Sequence, residues 1–245
     1  DACRLINVVF RRKDLPFVSI IIPSRDHPEL IKNLLSSIYQ RTTGVDFEII
    51  IVDNGSNETN KNKIEELKNE YKFQYFYEPQ PFNFAKMCNF GAGRATGNYL
   101  LFLNDDIEIR SKNWLTCLLE KSMLSYVGAV GAKLYYPESK VIQHAGITNL
   151  RLGPVHKLQF KEDIRSYYFD RNKVSMNVLA VTGACLMVSK DIFFDVNGFN
   201  EEFEVAFNDV DLCFRLYEAG YQNVIRNDIH LWHYESFSRG QDEDK

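Results

Sequence analysis

The chain has 245 residues, a net charge of -4 and an apolar fraction of 45%, which suits one large domain or two intimate halves with a full core. The acidic balance excludes a nucleic-acid partner gripped through its phosphates. No apolar run reaches the length of a bilayer span, and no signal-peptide pattern opens the chain.

Residues 1–16, with Arg11-Arg12-Lys13, read as a solvated lead-in. The β-branched run 17–22 predicts a strand closed by Pro23-Ser24-Arg25. Asp26, three residues before Glu29 and with Pro28 between, predicts the cap of a helix reaching Tyr39. Leu30, Leu34 and Ile38 share one face of it. A second strand, 47–52, ends in the tight turn Asp53-Asn54-Gly55-Ser56. A polar helix with Ile64, Leu67 and Tyr71 turned inward leads to a third strand, 73–77. Phe84, Met87, Cys88, Gly91 and Ala92 recur at helical spacing, with Gly97-Asn98 as the stop. The apolar run 99–103 is then a buried strand, and Asn104-Asp105-Asp106 stand at its carboxyl end.

Strands alternating with helices predict a parallel sheet with helices on both faces. Ligands of such sheets bind outside the carboxyl ends of the strands. Adjacent carboxylates there suit either a hard divalent metal carrying phosphates or a solvated turn. After Asp106 the pattern predicts a helix at 114–123, a strand at 127–136 with two glycines, an irregular stretch at 137–177 and a buried run at 179–188 broken by Thr182-Gly183. A loop at 198–206 leads to Asn208 as an N-cap. The helix it opens carries Leu212, Leu216 and Ala219 on one face and stops at Gly220. The segment HLWHYESFSRG is aromatic with two histidines. Cys3, Cys88, Cys117, Cys185 and Cys213 are widely spaced, as expected of reduced, buried thiols in a cytosolic protein. A start at Asp1 and an end in GQDEDK are those expected of a domain cut from something longer.

Six segments in this order carry a resemblance: VSIIIPSRD (18–26), EIIIVDNGS (48–56), FNFAKMCNFGAGRATGNYLLFLNDD (82–106), AVTGACLMVSKDIF (180–193), AFNDVDLCFRLYEAGY (206–221) and WHYESFSRG (232–240). They resemble the GT-A-fold inverting glycosyltransferases of family two, especially the domains of bacterial surface-polysaccharide enzymes. The resemblance implies an α/β, Rossmann-like GT-A fold: a mostly parallel central sheet flanked by helices, with a smaller acceptor-side half. It implies one domain over 17–245, with 17–106 holding the nucleotide sugar and 107–245 the acceptor and catalytic groups.

By the same resemblance Pro23, Arg25 and Asp53 hold the base and ribose of the nucleotide. Asp53 also reads as an Asx turn at a strand end. Asn83 and Lys86 face the nucleotide side, although Lys86 also suits a solvated helix face. The DxD motif of the family falls on Asn104-Asp105-Asp106 with an Asn in first place. Asp106 is then the metal ligand, and Asp105 lies nearer the ribose or the metal's waters. The Glu-Asp pair of the family falls on Asn208-Asp209, again with Asn first, so Asp209 inherits the role of general base. It also suits an acid in the first turn of a helix. His233 matches a histidine that completes the metal or diphosphate site, with a place in the aromatic cluster of Trp232 and Tyr234 as its bland alternative. His144 is an acceptor-side or structural residue.

The implied cofactor is a divalent metal, Mn²⁺ or Mg²⁺. The implied substrates are a nucleoside-diphosphate sugar and a glycan or lipid-linked glycan acceptor. The implied setting is the cytoplasm, at or near the inner face of the membrane, with any peripheral membrane association through flanking domains. Two other classes compete. A nucleotidyltransferase wants a glycine-rich phosphate loop, which PSRDHPE does not supply. An inactive nucleotide-sugar or glycan-binding module would be marked by Asn104 and Asn208.

Overall fold

The structure, a computed structural model, describes residues 14–151, 153–167 and 169–234. The lead-in with its basic triplet, Cys3 and the tail after Tyr234 lie outside the described residues.

The first half alternates as the sequence predicts: β1 (Val18–Ser24), α1 (Pro28–Arg41), β2 (Phe47–Asp53), α2 (Glu58–Glu66), β3 (Gln74–Tyr77), α3 (Phe84–Arg94) and β4 (Tyr99–Leu103). The four strands are parallel in the order β4-β1-β2-β3. Ile20 pairs with Ile49 on one side and Leu101 on the other, so β1 is buried throughout. Alternate side chains of β1 feed two cores. Val18, Ile20 and Ile22 pack with α1 and α2, while Ile21 packs with α3. Ile31, Leu34, Leu35 and Ile38 of α1 have no exposed surface, and burying each contributes about 1.5–3 kcal/mol.

Three local readings are corrected. α1 begins after His27, and Asp26 does not cap it. Asp26 adopts φ 59° and its carboxylate accepts from the Asn57 amide, Asn57 Nδ2 and Asn60 Nδ2, so it binds the loop after β1 to the start of α2. Gly97 is not the stop of α3, which ends at Arg94 with Ala95 extended. Its role is close approach: a Cβ there would stand 2.8 Å from Phe17 O and Ser19 N. Asn208 is the first residue of its helix; the N-cap position belongs to Phe207.

The second half holds β5 (Ile107–Ile109), α4 (Trp114–Ser122), β6 (Val127–Tyr135), β7 (Ile142–His144), β8 (Ile147–Leu150), β9 (Gly153–His156), β10 (Met176–Val178), β11 (Cys185–Ser189), α5 (Lys190–Asp195), α6 (Asn208–Glu218) and β12 (Gln222–His233). The stretch expected to be irregular contains four short strands, two of which form the hairpin β8-β9. β11 occupies only the end of the run 179–188, because Thr182 and Gly183 turn the chain before it. It joins the halves, running antiparallel to both β4 and β6. β12 lies parallel to β6 and pairs with β5 near its end. Its register breaks between Arg226, opposite Ala132, and His230, opposite Lys133. Arg226 fixes the break by bonding Asp228 at 2.6 Å and the Cys117 carbonyl at 2.6 Å. α3, α5 and α6 cover one face of the sheet; α1, α2 and α4 cover the other. Among the described residues no helix is long and apolar enough to cross a membrane.

One charged knot fastens the segment before β10 to β6. Asp163, whose side chain is 1% exposed, accepts from Lys133 Nζ at 2.6 Å and Lys173 Nζ at 2.8 Å, and from Tyr135 and Asn172. Burial opposes its charge, but these four donors prevail and hold the carboxyl down at about 2, against an ordinary 3.8. A depressed carboxyl stabilises the fold above its unfolded value and loses that contribution as pH falls through its folded value. Asp163→Asn should therefore cost about 3–5 kcal/mol at pH 7, since it strands the buried Lys133. Denaturant unfolding at pH 7 and pH 3 should show the gap between variant and wild type narrowing in acid.

Candidate active site

The chain runs from β1 to β2 and β3 on one side, then returns to place β4 on the other side of β1. That reversal leaves a crevice at the carboxyl ends of β1 and β4. A cavity of about 650 Å³ opens there, within the range of ligand pockets. One wall is Pro23 to His27 with Asn104 and Asp105; the other carries Thr182-Gly183 and the residues from Val205 to Val210. The β8-β9 hairpin contributes Ile147, Val155 and His156, and His233 comes from the end of β12.

Asp105 bridges the two strand ends. Its Oδ2 accepts from Ser24 Oγ at 2.5 Å and lies 3.0 Å from His27 Nδ1. Burial pushes its carboxyl up, against the pull of His27 and Ser24. The same bond pushes His27 up, against burial. Asp106 lies just behind the wall, 3% exposed. His233 Nε2 stands 3.1 Å from its Oδ1, while His233 Nδ1 meets Gln143 Oε1 at 2.8 Å. Gln143 Oε1 can only accept, so Nδ1 carries a proton. With Nε2 protonated too, the contact is an ion pair; burial opposes the charge of Asp106, but the imidazolium holds its carboxyl below the usual range. With the ring neutral, Nε2 turns a lone pair towards an oxygen that has no hydrogen-bond donor. Asn104 turns its Nδ2 towards the same ring, 3.5 Å from His233 Nε2, and its Oδ1 is buried and without a hydrogen-bond partner as well.

Asp209 stands on the facing wall in the first turn of α6. Its Oδ2 accepts from the Gly183 amide at 2.8 Å and its Oδ1 from the Val210 amide at 2.8 Å. Asp211 is turned elsewhere: its Oδ2 accepts from Arg215 Nη2 at 2.7 Å and Nε at 2.9 Å.

The structure brings Pro23, Arg25, Asp105, Asp209 and His233 to one cavity, with Asp106 behind His233. It does not bring Asp53, Asn83 or Lys86 there. Asp53 is fully buried, with Oδ1 accepting from the Ser56 amide and Oδ2 from the Tyr75 hydroxyl. Asn83 is the N-cap of α3, accepting from the Lys86 amide at 2.9 Å and donating to the Glu201 carbonyl at 2.8 Å. Lys86 is exposed on α3. Sequence reasoning missed His27 and Gln143. His27 was legible as a histidine just past a buried strand and before a helix-opening Pro28. Gln143 had no signal, because β7 is only three residues long.

Comparisons with known proteins bear on the family and the fold. A family model described as Glycosyl transferase family 2 matches residues 19–195. An uncharacterized protein y4gI of Sinorhizobium fredii is 39% identical over 93% of this chain and 25% of its own length. The O-antigen biosynthesis protein RfbC of Myxococcus xanthus is 35% identical over 93% of this chain and 18% of its own. The chain thus spans a quarter or less of these relatives. Among solved structures, the mannosyltransferase PcManGT from Pyrobaculum calidifontis, in complex with GDP-Man and Mn²⁺, superposes with a TM-score of 0.69 at 16% identity, covering 93% of this chain and 59% of its own. That likeness shows a GT-A fold.

His144 also lines the cavity but is locked. It is fully buried, and its Nε2 accepts from the Gly146 amide at 3.3 Å and the Thr182 amide at 3.4 Å. Its proton therefore sits on Nδ1, 2.8 Å from His156 Nδ1. Burial, then the nearby His156 and His233, push it well below the ordinary 6.5. A depressed histidine stabilises the fold above its unfolded value and withdraws that contribution as pH falls through its folded value. Wild type should lose up to about 1.4 kcal/mol per pH unit below 6.5 through this one group. Urea unfolding at pH 7.5 and 5.5 should show a shallower acid loss in His144→Gln.

Proposed function

The chain belongs to glycosyl transferase family 2 and is a glycosyltransferase, and from that premise we propose that it moves a sugar from a nucleoside-diphosphate sugar to a growing surface glycan with inversion. The observation that carries this reading is a single cavity with Asn104 and Asp105 from the end of β4 on one wall, Asp106 behind them, and Asp209 on the other wall. Inversion needs that division: one station for the departing diphosphate and one for the incoming hydroxyl.

The acceptor hydroxyl oxygen attacks the anomeric carbon from the face opposite the diphosphate. A new C–O bond forms as the old one breaks, and the nucleoside diphosphate leaves with the electron pair. Asp209 takes the hydroxyl proton as general base. The Gly183 and Val210 amides orient its carboxylate. No nucleophilic side chain is required.

Among the described residues no group of three His, Cys, Asp or Glu side chains is placed to hold a metal. The orphaned oxygens nevertheless fit one. Asp106 Oδ1 and His233 Nε2 stand 3.1 Å apart, and Asn104 at the same strand end supplies a second buried oxygen without a hydrogen-bond partner, so these are the donors the site offers. Gln143 holds the far side of the His233 ring, as an outer partner of a metal-bound imidazole does. So small a protein share suits Mg²⁺ or Mn²⁺, which take their remaining ligands from phosphates and water. When bound, such a cation neutralises charge that grows on the departing diphosphate. The buried, unpaired thiols of Cys88, Cys185 and Cys213 support a reducing, cytoplasmic setting.

Two variants divide the stations. In Asp106→Asn the rise in Tm that UDP or GDP gives with Mn²⁺, read against the variant's own ligand-free midpoint, should disappear, because binding to the native state alone produces that rise. An unchanged Mn²⁺-dependent rise would remove Asp106 from the cation site.

Asp209→Asn should keep that rise and lose about 100- to 10,000-fold in transfer rate. Asp211→Asn, which breaks only the Arg215 pair, should lose far less. Transfer assays over a panel of nucleotide sugars check both, and an active Asp209→Asn would refute the base assignment.

A further inference from the structure

Phe207 is a residue that nothing local explains. It occupies the N-cap position of α6, and its carbonyl accepts the first helical hydrogen bond from the Asp211 amide at 2.9 Å. That position favours Ser, Thr, Asp or Asn, and Phe207 supplies no cap. Its backbone adopts φ 65°, a left-handed conformation that a bulky side chain takes only at a cost. Its ring is not buried in exchange, since the residue is 57% exposed. Asn or Gly would suit both the helix and the backbone better.

The backbone that leads to it is nonetheless held in place. The Phe84 amide donates to the Glu204 carbonyl at 2.8 Å, and Asn208 Nδ2 donates to the Phe203 carbonyl at 3.3 Å. Phe82 and Val205, 44% and 55% exposed, line the same cavity. An apolar rim therefore stands at the cavity, two residues from Asp209. Strained, exposed residues of this kind gather at functional sites.

We propose that Phe207, with Phe82 lining the same cavity, is a stacking platform for a pyranose ring of the acceptor glycan. This rests on the reading of the cavity as a sugar-transfer site with Asp209 as base. A base works on the acceptor, so what stands next to it meets the acceptor. A pyranose turns one face of C–H bonds outward, and the negative face of an aromatic ring attracts that edge of positive charge. The hydroxyls on the sugar's rim remain free for Asp209. A lipid chain on the same platform would cover that carboxylate without offering it a hydrogen bond.

The test uses saturation-transfer difference NMR with the methyl glycosides of glucose, galactose, mannose, rhamnose and N-acetylglucosamine, each with Mn²⁺ and UDP or GDP. Wild type should transfer saturation to the ring C–H protons of at least one glycoside. Phe207→Gly and Phe207→Asn, which fit the left-handed backbone, should keep or raise Tm and weaken that glycoside roughly tenfold, whereas Phe207→Trp should retain it. Wild type that binds none of the five overturns the proposal. So does a Phe207→Gly or Phe207→Asn variant that binds as wild type does, or one whose loss of binding is matched by a fall in Tm. Octyl glycosides separate the sources: a Phe207-dependent signal on the octyl chain alone makes the platform a lipid site and also overturns it. Turnover of nucleotide sugars is read separately. A wild type that binds glycosides through Phe207 but transfers no sugar retains the platform and sinks the transfer reading.

Discussion

Asp105 and Asp106 are buried side by side at the end of β4, where each charge costs several kcal/mol to desolvate. Two histidines from distant elements answer them. His27 comes from the loop after β1 and meets Asp105; His233 comes from the end of β12 and meets Asp106. The carboxylates thus tie the parallel first half to the mixed second half at one point. β5, which pairs with β12 at Ile107 opposite His233, fixes the distance along the strands. Gln143 on β7 fixes the ring from behind. The cavity exists where it does because charges at one strand end draw in elements from both ends of the chain.

The parallel half was legible because β1, β2 and β4 are mostly buried and written mainly in Ile, Val, Leu and Phe. Chain direction followed from the helices between them. The helix ends were less legible. Asp26 and Asn208 have capping chemistry, yet Asp26 bonds across to α2 and Asn208 already lies inside its helix, one residue past the cap position. Tertiary partners outbid the local cap in both places. The long strand β12 was missed because its core positions include Asn223, Arg226 and Asn227, polar residues paired one by one with partners invisible in sequence.

The site divides the same way. The family pattern marked Asp209 and His233, which meet at one cavity, and Asp106, which lies behind His233; that Asp211 is turned to Arg215 had no sign in the sequence. Asp53 and Asn83 kept the chemistry expected of them but spend it on the Ser56 turn and the cap of α3. An acid or amide at a strand end cannot be assigned to ligand or backbone until its hydrogen-bond partners are known.

The break in β12 frees its last residues from the count of residues before them. Val224 to Arg226 and His230 to Trp232 form two ladders on β6, and residues 227–229 lie between them. Arg226 and His230 are four apart in the chain, yet they stand opposite Ala132 and Lys133, which are neighbours. Paired residues of adjacent strands face the same side of a sheet, so the side that His233 takes is set by its own ladder and by its partner Ile107. The break is therefore a slack link: as long as both ladders keep their partners, length variation at this spot is absorbed without turning the imidazole.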